Sequence, residues 1–431
     1  MFRRNYRFWW PCAVLALATS SAAAVPNAAV TLTAATTTLK QAFEAAWQRQ
    51  PEALSQQMRQ DAAVAQQQAA TRWTAEPVAL ELSTKTDRLN QNLGRDETAV
   101  GISIPLWLPG ERSRSFAVAD AQARAAASRV RAAQLRTAAS LREAYWAWQR
   151  AHMDHGLAGE LLGHAQQLAQ DVAKRVRAGD LARADQHQAD GALATAEVTL
   201  AEATGVLATA AQRLRTLTGL APKLPAAGPS GDRVGAVNGA EPMPVLPADN
   251  ATLLAAHPAV GELQDSAVVA QRSAELVQVQ TRANPELTLA TSRDRGQFDE
   301  AYQHSITLGL RIPLGSSSRN QAKRASAQAD AMEAEAQLRL EQERLLGDVE
   351  AARVGLESAQ TQVNASQRRA QLARESRMFF QKSFQMGETD LPTRLRMERE
   401  AMDAERQAAR SAVDLAAAQS ALRQTLGLLP E

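Results

Sequence analysis

The sequence of 431 residues has a single cysteine, Cys12, so neither an internal disulfide nor a cysteine-based metal site is available. Aromatic residues make up only 4% of it, too few for a thick globular core. Abundant Ala and Gln with interspersed charges suit long helices with narrow apolar seams instead. The formal net charge is +2, and the basic residues lie among acids, which describes a solvated face and no nucleic-acid surface. No stretch of about 20 apolar residues occurs, so no membrane-spanning helix is expected. There is no Gly-Lys-Ser/Thr phosphate loop. No Ser/His/Asp set or carboxylate pair stands apart from ordinary helix surface charge. The chain therefore reads as a non-enzyme with no cofactor.

The N-terminus carries Arg3, Arg4 and Arg7, then the short apolar stretch from Ala13 to Ala18, then Ala22-Ala23-Ala24. This order reads as a signal peptide over residues 1–24. Cys12 follows Trp10-Pro11 and precedes the apolar stretch instead of ending it, which argues against a lipid-carrying cysteine.

What the sequence does have is an internal repeat at an offset of 208. Pro77 recurs as Pro285, Ile104-Pro105-Leu106 as Ile312-Pro313-Leu314, and Gly179 as Gly387; Thr218-Gly219-Leu220 is echoed by Leu426-Gly427-Leu428. Two similar halves around one pseudo-symmetric centre are implied. The first half spans 37–220: a helix broken by Pro51, a strand hairpin at about 77–108, and a helical hairpin at about 111–219. A Pro/Gly-rich linker covers 221–250. The second half spans 251–429: a helix carrying Pro258, a strand hairpin at about 285–314, and a helical hairpin at about 319–428.

Strands are read from alternation. Val78, Leu80 and Leu82 alternate with polar residues, as do Val100, Ile102, Ile104 and Leu106, and Ile306, Leu308, Leu310, Ile312 and Leu314. Leu287, Leu289 and Thr291 alternate too, with Arg293 to Tyr302 read as a polar loop. The offset of 208 pairs Val78 and Leu80 with Glu286 and Thr288, so the third strand is out of phase; a slip or a bulge would explain it. Helix seams are equally plain. Leu193, Ala196, Leu200, Ala203 and Leu207 repeat by threes and fours, as do Ala401, Ala404, Ala408, Ser411 and Leu415, and Leu345, Val349, Ala352 and Leu356. These are heptad seams whose Ala residues allow close approach, so antiparallel coiled-coil packing is expected.

Four strands cannot close a barrel, for which about eight are the working minimum. Open edges are not tolerated in hydrocarbon, so several chains must contribute to one barrel. Three chains would give twelve strands, an even number suited to an outer membrane. The fold class is therefore mainly α with a small β part: a long antiparallel coiled-coil helical barrel plus a twelve-stranded trans-subunit β-barrel.

The duplicated hairpins with Ile-Pro-Leu at each second strand carry a resemblance. So do the turns Val176-Arg177-Ala178-Gly179-Asp180-Leu181 and Phe384-Gln385-Met386-Gly387-Glu388-Thr389-Asp390-Leu391. Over about residues 37–429 the chain resembles the TolC-type outer-membrane efflux family. The resemblance implies a homotrimer in outer-membrane lipid with its helical tunnel in the periplasm. It implies a periplasmic adaptor protein docking at the tunnel tip, an inner-membrane pump of the RND type, and a passive exit duct between them. Residues Gly387 to Arg394 most resemble the outer-membrane components of cobalt–zinc–cadmium-type heavy-metal pumps. Drug or solvent efflux and type I secretion are rivals within the family, and a periplasmic coiled-coil scaffold is the rival outside it.

The resemblance also places function at the tip. Arg177, Gly179, Leu181, Met386, Gly387 and Leu391 become the adaptor-docking turns, with Arg177, Leu181, Met386 and Leu391 expected to be exposed. Asp185 holds the position of a family gate acid, while Thr393 occupies its equivalent in the second half and Arg396 replaces another acid. Gate charge would then come from Arg183, Asp185, Glu388, Asp390 and Arg394. His152 and His155 lie one turn apart and are weak metal candidates, more simply read as solvated, so no metal site is assigned.

Overall fold

The computed structural model describes residues 38–90, 92–222, 240–315 and 317–431. The signal peptide reading of 1–24, Cys12 and most of the 221–250 linker fall outside these residues.

Two short helices open the first half. In α1 (Leu39–Gln48), Thr38 accepts from the Gln41 amide at 3.3 Å and the Gln41 side chain reaches back to Thr38, a complete capping box. Pro51 then starts α2 (Pro51–Thr71), because proline fits the first helical position, where its missing N–H is not needed. The strands β1 (Ala79–Thr86) and β2 (Asp96–Pro105) follow. Gly110, at φ +79°, turns the chain into α3 (Glu111–Ala178), whose 68 residues run about 100 Å. The chain returns through α4 (Arg183–Thr218). The second half repeats the order with α5 (Asn250–Ala256), α6 (Pro258–Val279), β3 (Glu286–Arg295), β4 (Gln303–Arg311), α7 (Ser317–Gln385) and α8 (Leu391–Thr425). Pro258 breaks the expected single helix at 251–282 into α5 and α6, with Pro258 again at a helix start.

The long helices α3 and α7 are continuous columns and the shorter ones share the remaining places. Near the strands the neighbours run α2, α3, α6, α7; toward the opposite end they run α4, α3, α8, α7. Each helical hairpin is held by an apolar seam. Leu345, Leu356, Val363 and Ala370 of α7 and Ala401, Ala404, Ala408 and Leu422 of α8 are buried. On that seam the Ser366 and Ser411 hydroxyls bond each other at 2.6 Å, so the two polar groups enter the seam already paired.

Three of the scarce aromatics gather midway along α3. Tyr145, Trp146 and Trp148 are buried with Leu141 against Leu39 and Phe43 of α1, Leu214 of α4 and Val413 of α8. Beside them sits a buried ionic group. Arg142 grips Glu241 through two bonds of 2.9 and 2.7 Å, and Arg423 of α8 lies 3.3 Å from the same carboxylate.

The four strands form one antiparallel sheet in the order β1-β2-β3-β4. Leu80, Ile102, Leu289 and Leu308 are cross-strand partners in one row, and Leu82, Val100, Thr291 and Ile306 in the next. One face is thus apolar from edge to edge, and it is exposed: Leu80 at 74%, Ile306 at 80%, Leu308 at 73%. The other face carries Glu81, Ser83, Ser103, Thr288, Ser292 and Thr307. It is also crowded. A Cβ added at Gly101 would meet the Ala290 Cβ at 2.8 Å, as expected where a sheet bends toward its polar side.

The register settles the phase of the third strand as a slip. Leu80 pairs with Ile102, and Leu287 pairs with Leu310. Leu287, not Thr288, therefore matches Leu80, at an offset of 207 that Pro51 and Pro258 share. Ile102 and Leu310 keep the offset of 208. The extra residue lies in the connection from β3 to β4, and the match of Pro77 with Pro285 is one residue out of structural register. A second correction concerns length. The ladder of β3 continues through Arg293 and Arg295, which were expected in a loop. Their backbone stays paired while their side chains turn polar.

Candidate functional site at the helical tip

Farthest from the sheet, α3 turns into α4 and α7 into α8. Both turns are built alike. At the first, the Gly179 amide donates to the Val176 carbonyl at 3.1 Å and the Asp180 amide to Arg175 at 2.9 Å. At the second, Gly387 donates to Phe384 at 3.2 Å and Glu388 to Ser383 at 3.0 Å. This pair of bonds closes a helix C-terminus and requires a left-handed residue, here Gly179 at φ +86° and Gly387 at φ +81°.

The acids differ between the halves. Asp185 accepts from the Ala182 amide at 3.0 Å, one turn into α4, and Ala182 has no side-chain acceptor to return the bond. Asp390 instead stands at the N-cap of α8 and accepts from the Thr393 amide at 3.3 Å. The Thr393 hydrogen bonding holds the Asp390 carboxyl below its ordinary pKa, aided by the Arg396 charge. Arg183 and Glu388 are exposed. Arg394 is half-buried and lies over the Phe384 ring, 4.8 Å from its centre, and desolvation lowers its pKa.

Beneath the turns, Leu168, Ala169, Val172, Ala189, Phe384, Leu391 and Leu395 form a small buried core. This corrects the expected exposure of Leu391, which is 1% exposed and packs inward beside Phe384. Leu181 is half-buried against the same core, while Arg177 and Met386 are exposed.

Arg175 was not anticipated from the sequence. It donates to the Phe384 and Gln385 carbonyls at 3.1 and 3.2 Å, adding a second donor to the Phe384 carbonyl and capping the last carbonyl of α7. Its guanidinium also lies 4.9 Å from the Phe384 ring centre, so two arginines from different hairpins share one ring. A positive turn residue before Gly179 was visible in the sequence; its partner 209 residues later was not.

Both kinds of joint are mixed: Arg374 and Arg377 of α7 pair with Glu405 inside the second hairpin, and the Tyr145 and Phe384 cores join the two hairpins through apolar contact. Along α3 and α8, Arg150 pairs with Asp414 at 2.6 Å, Asp154 with Arg406 at 2.9 Å, and His164 with Glu398 at 3.0 Å. Glu398 is also 3.5 Å from Arg377 of α7. Exposed or half-exposed pairs contribute little each, about 0–1 kcal/mol.

The ring of His152 lies 6.3 Å from that of Trp148. Among the described residues no group of three or more His, Cys, Asp or Glu side chains converges as a metal site. No described helix is long and apolar enough to cross a membrane.

The family model "Outer membrane efflux protein" matches residues 20–220 and 252–428. No curated protein matches the sequence significantly. Several solved structures share the fold. CusC, whose crystal structures concern folding and transmembrane channel formation, is 18% identical with a TM-score of 0.75, covering 90% of this chain and 92% of its own. The outer membrane protein VceC of Vibrio cholerae is 19% identical, with a TM-score of 0.71 and coverage of 91% and 97%. The open-state outer membrane channel MtrE of Neisseria gonorrhoeae is 18% identical, with a TM-score of 0.71 and coverage of 90% and 89%.

Proposed function

The chain belongs to the outer membrane efflux protein family, and on that premise we propose that it is the passive exit duct of a tripartite pump that expels heavy-metal cations of the cobalt, zinc and cadmium type. Members of the family are non-enzymatic outer-membrane channels with periplasmic helices, working as trimers with adaptors and inner-membrane pumps. The partner here would be an RND-type pump joined through a periplasmic adaptor.

The observation that carries the duct reading is the sheet. Its apolar face is exposed across all four strands, and among the described residues the outer edges of β1 and β4 pair with no further strand. Exposed apolar rows with open ladder edges are stable in lipid only if the sheet closes on itself. Three copies would join β4 of one chain to β1 of the next and close twelve strands. A periplasmic scaffold would leave that face in water.

The cation reading rests on the Gly387 to Arg394 segment of the sequence. In this reading the tip is the gate. Asp185, Asp390, Glu388 and Arg183 supply charge around the mouth, and Arg394 helps hold it closed through Phe384. The exposed Arg177 and Met386 flank the glycine turns as the adaptor surface. Opening would separate the hairpins along α3 and α8, breaking these ion pairs and parting the Phe384 core from α3.

Two measurements test this. A heat-modifiable, SDS-resistant trimer in outer-membrane fractions is expected; a monomer in the soluble periplasmic fraction overturns the duct. Deletion of the gene should raise sensitivity to zinc, cadmium or cobalt. Sensitivity to drugs or solvents alone would assign the duct to the rival substrate class.

A further inference from the structure

The apolar face of the sheet does not end in plain loop. One row beyond Thr291 and Ile306, away from the helices, come Thr84, Thr98, Arg293 and His304; the next row is Thr86, Asp96 and Arg295. Side chains alternate along a strand, so Arg293 and Arg295 share the face of Leu287 and Leu289 and lie about 7 Å apart.

Both guanidiniums are held in place. Arg293 lies 3.8 Å and Arg295 4.8 Å from the centre of the Tyr302 ring. Arg295 also lies 5.4 Å from the Phe298 ring centre and donates its Nε proton to the Gly94 carbonyl at 3.1 Å. The Tyr302 hydroxyl is directed at Asp96, 3.4 Å away. Among the described residues neither arginine has a carboxylate within ion-pair distance, so their outer N–H groups are not engaged by an acid.

The opposite face at the same level is different. There Lys85 is paired with Glu97 at 3.4 Å, and Asp294 adds a further acid. At this level the polar face carries one base against two acids, and the lipid-side face two arginines against Asp96, so the excess positive charge lies on the lipid side. Arginine forks fit phosphate oxygens two at a time.

We infer that Arg293 and Arg295, braced on Tyr302, form a clasp for the phosphate of a lipid headgroup in the outer leaflet of the membrane. This rests on the reading of the sheet as a lipid-facing barrel wall. The rows of Leu80 and Leu82 contact acyl chains, and the arginine row stands at headgroup level. Phosphorylated lipid is the occupant because the same face is continuous with the apolar rows below, which a free anion would not use.

The full-length trimer, purified in detergent, is exposed to bisphosphorylated lipid A, to the same lipid with its phosphates removed, and to inorganic phosphate, with bound molecules counted by native mass spectrometry. Wild type should retain the phosphorylated lipid. R293Q/R295Q should retain it about tenfold less or weaker, the loss expected from removing charged hydrogen bonds. K85Q, at the same level on the opposite face, should match wild type. Equal retention by R293Q/R295Q, or equal binding of the dephosphorylated lipid by wild type, overturns the inference. Competition by inorganic phosphate at matched concentration would make the site a free-anion site and also overturns it. Should R293Q/R295Q fail to assemble, R293K/R295K must still bind better than the dephosphorylated lipid allows. A wild-type chain that forms no outer-membrane trimer refutes the duct; a trimer indifferent to the phosphates refutes only the clasp.

Discussion

Arg142 and Glu241 are 99 residues apart and form a two-bond ion pair whose side chains are 5% and 0% exposed. Arg423 completes the group from α8, and Arg142 also donates to the Leu428 carbonyl at 3.0 Å. One carboxylate near the end of the linker thus ties that segment, the middle of α3 and the C-terminal segment together.

Removing that carboxylate leaves two buried cations with one acid fewer. Glu241→Ala should cost about 3–5 kcal/mol, the usual penalty for breaking a buried pair. Thermal dissociation of the trimer and urea unfolding should both shift down. A variant within about 1 kcal/mol of wild type would show that the group contributes no more than a surface pair.

Gly179 and Gly387 have open space where a Cβ would go, so their requirement is backbone conformation alone. A β-branched residue in the left-handed region costs about 1–3 kcal/mol of strain. Gly387→Val should abolish resistance while the trimer persists, and Gly387→Asn should be tolerated far better. Loss of the trimer in Gly387→Val would assign the glycine to folding and not to the tip's function.

Arg394 of α8 and Arg175 of α3 both lie over the Phe384 ring. A cation over an aromatic ring contributes about 0.5–2 kcal/mol, so Arg394→Ala should shift a closed tip toward open by roughly 2- to 30-fold. Single-channel recording should show more conducting time and cells should become more sensitive to antibiotics. No change in either removes Arg394 from the gate.

The joint of α3 and α8 should depend on pH. The hydrogen bond to Glu398 raises the pKa of His164 above 6.5, against the opposing effects of burial and Arg377. Burial pushes the Glu398 carboxyl up, but the His164 hydrogen bond and the Arg377 and Arg394 charges outweigh it and bring it down. Glu160 also faces His164. A raised histidine pKa means the pair is fully present below pH 6.5 and is lost as pH rises through the higher folded value. Hydrogen exchange along α3 and α8 should therefore quicken with rising pH more in wild type than in His164→Gln, after correction for intrinsic rates. Parallel profiles would show that the pair carries no coupling.

The repeat, the alternations and the heptad seams were legible because they are periodic, and period is what secondary structure writes into a sequence. Ser411, which pairs with Ser366, falls on a seam for that reason. The Arg142 clasp of Glu241 was not legible, since nothing local in a charged residue names a partner 99 positions away. The same holds for Arg175 and the end of α7. Leu391 was misread as exposed because a turn's first residue can face either way, and only the Phe384 core decides it. Arg293 and Arg295 were read as loop because polarity was taken for the end of a strand, when the ladder continued beneath them.

The extra residue between β3 and β4 has a consequence for anyone exchanging parts between the halves. A strand shows its two faces by parity, so odd and even positions are not interchangeable. Apolar side chains sit at even numbers in β1, β2 and β4 and at odd numbers in β3. A transplant of β3 into the place of β1 by the obvious sequence repeat would turn Leu287 and Leu289 to the polar face of the sheet and Glu286 and Thr288 to the apolar one. Cut one residue earlier, the same transplant would seat correctly.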